Sequence, residues 1–238
     1  MNIFPFKFTS GPGKGANFAL LIFSALFLTV LPTIVTLVCF SLGMDDINDI
    51  NFTFYALSAI IAGGICFKVL RQDFDSFVSH PFFCVMTVLG SFLLARFVDT
   101  FMGLFVSMLM GGEVENLNNN EVMADFGTAA TGAITATTLF LAPIAEELVF
   151  RVGIFGTARK VFKKAWPAYL AGVGIFSLFH VISFAFSDPS YLIMGLLYVP
   201  LSFALCFCYE RTNSVWSSIL LHFINNGIAL GVLSSGII

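Results

Sequence analysis

Long apolar runs separated by short polar loops dominate the 238-residue chain. They fall near residues 16–42, 52–70, 82–110, 128–157, 166–186, 190–208 and 214–236. Each is close to, or above, the roughly 20 apolar residues that a helix needs to cross a bilayer. The pattern predicts about seven helices in an all-α, polytopic transmembrane bundle. Two runs, 82–110 and 128–157, exceed the minimum, so tilted, broken or partly interfacial segments are expected there. Pro32 predicts a kink or a late start in the first helix. No linker is long enough to set off a separate soluble domain.

Composition supports the membrane reading. Hydrophobic residues make up 58% of the chain and charged residues 11%, against about 25% charged in soluble domains; mean hydropathy is +0.95. The basic residues are distributed asymmetrically. Lys7 and Lys14, Lys68 and Arg71, the group Arg159, Lys160, Lys163 and Lys164, and Arg211 all fall in alternate loops. Arg96 and Arg151 lie within runs, and the loops around 45–49 and 113–125 contain neither Lys nor Arg. This bias predicts the N-terminus inside and the C-terminus outside. The first run is too long for a signal-peptide core, and the expected location is a prokaryotic plasma membrane. The five cysteines sit in apolar runs without a C-x-x-C pair and read as small buried hydrophobes. Membrane lipid and a peptide or membrane-protein substrate are the expected partners; nucleic acid is not.

Against this background Glu146 and Glu147 stand out. Adjacent carboxylates in an apolar run cost several kcal/mol to place in a bilayer, roughly 2.5–3.5 kcal/mol for the first alone. Their expected partners are polar groups on other runs: His180, His222 and Asn226. Depth supports this grouping. At 1.5 Å per residue, Glu146 lies roughly 18–20 Å from the inner boundary near Arg159, and His180 roughly 20 Å from Pro167. His222 and Asn226 lie roughly 13 and 19 Å beyond Asn213. Three helices thus bring polar groups to similar levels, as a shared intramembrane site requires.

Helical spacing then divides the roles. Glu147 and Arg151 are four residues apart and can pair, leaving Glu146 about 100° away to face a cavity. His222 and Asn226 also share a face. Glu146 with His180 could deprotonate and position a water. His222 with Asn226 could stabilise a tetrahedral oxyanion. Other polar residues have plainer readings: Arg96 and Asp99 as a local pair, His80 before Pro81 as a loop residue, and Asn226 alone as interhelical glue.

The three motifs resemble a known family. Glu146-Glu147-Leu148-Val149-Phe150-Arg151 is similar to the E-E-x-x-x-R motif of the CPBP intramembrane proteases, also called the Abi or type II CAAX prenyl endopeptidase-like family. Phe176-Ser177-Leu178-Phe179-His180 resembles its F-x-x-x-H motif, and His222-Phe223-Ile224-Asn225-Asn226 its H-x-x-x-N motif. The resemblance covers roughly residues 128–236. It implies a glutamate-dependent endopeptidase with no metal or other cofactor, catalytic Glu146, His180, His222 and Asn226, and supporting Glu147 and Arg151. Residues 128–238 would form the catalytic core, and residues 1–127 would shape substrate access. Family roles include bacteriocin immunity, peptide maturation and prenylated-protein processing. Three other classes stay open: a zinc protease using Glu146, His180 and His222, a proton-coupled transporter, and a non-catalytic immunity or regulatory scaffold.

Overall fold

A computed structural model describes residues 8–112, 131–162 and 164–234, which are helical and contain no strand. The first run becomes two helices, α1 (Lys14–Leu28) and α2 (Leu31–Ser41), bent by 63°. Pro32, in the first turn of α2, lacks the N–H that a continuous helix would need. The second run becomes α3 (Ile47–Ile65) and α4 (Phe67–Ser79), bent by 81°. Asp46 starts α3 by accepting the Asn48 N–H at 2.8 Å, the usual N-cap device. Helix α5 (Pro81–Met110) opens on a proline and closes on Gly111, whose φ of 72° is the left-handed C-cap conformation.

The fourth run is one helical rod, α6 (residues 131–162), in which the hydrogen-bond pattern departs from α-helical twice. Thr137–Leu141 and Glu147–Phe155 are π-helical on either side of Pro143. Helix α7 (Ala165–Ala185) leads to a 3₁₀ segment (Pro189–Tyr198), then α8 (Val199–Thr212) and α9 (Val215–Ser234). Among the described residues, four helices are long and apolar enough to cross a membrane, or up to six if each bent pair is one span. Within the described residues, the seven runs are therefore helical. Two are sharply bent, and α6 is divided into short pieces by its π segments. The acidic loop expected at 113–125 lies outside the described residues.

Helix α6 is central. It packs against α1 and α3 on one side and α7, α8 and α9 on the other. Close approach depends on small residues: a Cβ on Gly172 would stand 3.0 Å from the Cys206 sulfur and 3.2 Å from Phe155 Cβ. Phe27, Phe150, Phe155, Phe176 and Tyr209 fill the core. The outer faces stay apolar, with Phe82, Leu93, Leu94, Phe97 and Met108 of α5 well exposed. A lipid solvent favours that surface, which water would not. All five cysteines are buried and unbonded, and Arg96 pairs with Asp99 at 3.1 Å.

One end of the bundle is tied together by polar contacts. The Ser10 hydroxyl donates to the Asp73 carboxylate at 2.8 and 2.9 Å, and the Val215 N–H donates to it at 2.9 Å. Asn213 accepts the N–H groups of Thr9 and Ser10, both at 2.8 Å. Arg159 pairs with Glu210, and the Lys160 ammonium lies 3.4 Å from the Pro12 carbonyl. The N-terminal segment, α4, the end of α6 and the α8–α9 turn therefore meet where the basic loops were expected. Helix α4, with Lys68, Arg71, Asp73 and Asp75, turns away from α3 at this end. Burial pushes the Asp73 carboxyl up to about 6, although the Val215 N–H, the Ser10 hydroxyl and Lys160 pull it down.

Candidate active site

The site is built on α6. Glu146 ends a short α-helical stretch after Pro143, and Glu147 begins the second π segment. Such local widenings of a helix often occur at functional sites. Both carboxylates are buried: Glu146 is 4% exposed and Glu147 0%.

Glu147 is surrounded by donors. Arg151 Nε lies 3.1 Å from its Oε2, a charge contact rather than an aligned hydrogen bond. The Ser218 hydroxyl donates to the same oxygen. His222 Nδ1 lies 2.8 Å from Oε1. This carboxylate faces Arg151 and accepts from Ser218, so the imidazole donates in this contact, which directs its Nε2 away from Glu147.

That second nitrogen faces Glu146. His222 Nε2 and His180 Nε2 each lie 3.9 Å from Glu146 Oε2, which is buried and has no hydrogen-bond partner among the described residues. His180 Nδ1 lies 2.9 Å from the Phe176 carbonyl. A carbonyl can only accept, so this nitrogen carries the proton and neutral His180 presents a lone pair at Nε2. The other Glu146 oxygen, Oε1, accepts from the Tyr55 hydroxyl at 3.1 Å.

Aromatic rings fix the imidazoles. His180 lies between Phe176, with centroids 4.3 Å apart, and Tyr198, stacked at 4.6 Å. Phe176 also carries the Arg151 guanidinium 4.4 Å from its ring centroid. Its place in the F-x-x-x-H pattern thus has a physical reason, since one ring touches both the arginine and the histidine. Asn226 stands apart from these contacts. Its amide donates to the Thr138 carbonyl at 3.0 Å and its oxygen accepts from Asn225 at 3.1 Å. The structure therefore brings Glu146, Glu147, Arg151, His180 and His222 together, while Asn226 is engaged with the first π segment.

Sequence reasoning missed three of these contacts. Ser218 lies four residues before His222 and shares its helix face, so spacing could have identified it. Tyr55 and Tyr198 lie in apolar runs, where an aromatic residue reads as core.

A carboxylate and two imidazoles gathered inside a multi-pass helical bundle define an integral membrane protein with a buried polar centre. Residues 128–228 match the family model described as Rce1-like, type II CAAX prenyl endopeptidase Rce1-like. This match over residues 128–228 supports a likeness to the CPBP, or CAAX-protease-like, family of intramembrane endopeptidases. No curated protein and no solved structure matches it significantly.

Proposed function

We propose that the protein hydrolyses a peptide bond within the membrane, using a water activated by Glu146 and His180. The observation that carries this reading is the buried, unpartnered Glu146 Oε2, which faces the Nε2 atoms of both histidines at 3.9 Å. A water hydrogen-bonded to each atom at about 2.8 Å fits between groups this far apart. Ligands sharing a tetrahedral zinc at about 2.0–2.1 Å would lie closer together, roughly 3.4 Å, so the spacing favours the metal-independent reading.

In this mechanism the water oxygen attacks the peptide carbonyl carbon while its proton passes to Glu146 or His180. His222, as an imidazolium donating from Nε2, stabilises the oxyanion with Asn226, whose amide must then release or share its hold on Thr138. Glu147 and Arg151 hold His222 in place. Collapse of the intermediate breaks the C–N bond, and the stored proton goes to the departing amine. Residues 128–238 act as the catalytic core, and residues 1–127 line the approach. The test is to incubate purified protein with a membrane-peptide library and map the cuts by mass spectrometry. Glu146→Gln should abolish them, and chelation should leave them unchanged. Cleavage by Glu146→Gln at the wild-type rate would refute the reading, and loss on chelation would favour zinc.

A further inference from the structure

We infer that Tyr55, far from the matched segment in sequence, is a positioning residue of the reaction centre. The inference rests on the reading of Glu146 as the water-activating carboxylate. Tyr55 lies on α3, outside residues 128–228, yet its hydroxyl donates to Glu146 Oε1 at 3.1 Å. This makes the two carboxylate oxygens unequal. One is held by a phenol from the N-terminal half, and the other is left buried and unpartnered toward both imidazoles. The carboxylate cannot rotate about its terminal torsion without breaking the Tyr55 bond, so Oε2 stays aimed at the histidines.

The phenol is itself well anchored. Its ring lies against Phe54, with centroids 5.0 Å apart, and against Phe27 at 6.3 Å. Phe27 in turn packs on Phe150 at 6.3 Å and Phe179 at 5.5 Å. These two rings flank Arg151 and His180 in the motifs. One aromatic cluster therefore ties the orientation of Tyr55 to α6 and α7, and a rigid support of this kind is what a reacting group needs.

Tyr55→Phe keeps the ring and removes only the donor. In the full-length protein in detergent, dicyclohexylcarbodiimide, which reacts with protonated carboxyl groups in apolar surroundings, reports on Glu146 without a known substrate. Glu146→Gln supplies the blank, and fragment-ion spectra separate Glu146 from Glu147. Loss of the phenol frees Glu146 Oε1, so Tyr55→Phe should label there several-fold faster than wild type. Its melting temperature should stay near the wild-type value. In the cleavage assay its kcat should fall about tenfold with little change in KM. Labelling equal to wild type, including none in either protein, overturns the proposal. Retained cleavage by Glu146→Gln instead overturns the reading on which it rests, so the two failures are distinguishable.

Discussion

Arg151→Met tests whether the arginine is needed mainly as the buried counter-charge of Glu147. Both side chains are 0% exposed, with Arg151 Nε 3.1 Å from Glu147 Oε2. Methionine keeps an unbranched apolar chain against Phe176 but strands the carboxylate. Breaking a buried pair by removing one partner costs about 3–5 kcal/mol. The lower end is expected here, because Ser218 and His222 still donate to Glu147. With roughly 2–4 °C lost per kcal/mol for a chain of this size, the melting temperature in detergent should fall by about 6–12 °C. Cleavage should also fall, since His222 is oriented through the same carboxylate. The double variant Glu147→Gln/Arg151→Met removes the stranded charge while keeping an acceptor for His222. It should therefore recover about half of the lost stability, although not the activity. Thermal unfolding followed by intrinsic fluorescence reads all three proteins. A single variant within 2 °C of wild type, allowing for roughly the precision of the conversion, or a double variant no more stable than the single, refutes the charge-pair account.

Two further outcomes follow from contacts that spacing could not reveal. Tyr198→Leu keeps much of the volume but removes the face stacked on His180, a contact worth about 0.5–1.5 kcal/mol. Its kcat should drop up to about tenfold at nearly unchanged KM; kinetics equal to wild type would show that Phe176 alone fixes the ring. For Asp73, burial raises the carboxyl from 3.8 to about 6, so the folded state prefers the protonated form. That preference stabilises the protein fully below about pH 4 and is lost as pH rises through 6, a difference of about 3 kcal/mol. Melting curves at pH 7 and pH 5 should therefore show wild type gaining on Asp73→Asn as the pH falls, and a constant gap would count against it.

Proximity is legible in the sequence where a single physical cost dominates. Adjacent carboxylates in an apolar run require partners, and estimates of depth along three helices selected His180 and His222 from a largely apolar chain. Helical spacing paired Glu147 with Arg151. It was less informative wherever the backbone departs from 3.6 residues per turn or a contact crosses between distant segments. A smooth helix sends Glu146 and Glu147 in different directions, yet both address His222, because the two nitrogens of one imidazole can meet two diverging carboxylates. Asn226 shares a face with His222, but its amide is held by a carbonyl of the first π segment, a local geometry that periodicity does not encode. The bends after Leu28 and Ile65 are only partly legible: Pro32 marks the first, and the Gly63-Gly64 pair just before Cys66 is a weaker mark of the second.

The same limit explains why the N-terminal half looked empty. Its hydrogen bond to Glu146 comes from the Tyr55 phenol, and an apolar run containing a tyrosine is indistinguishable from core until the fold brings it to another helix. Motifs record residues whose spacing along the chain is fixed, such as Glu147 with Arg151 or Phe176 with His180. Tyr55 reaches Glu146 across 91 positions, so nothing local ties the two together. A buried carboxylate with one oxygen held and one free nevertheless needs something to hold it. In this fold, that support comes from the half of the chain that carries no motif.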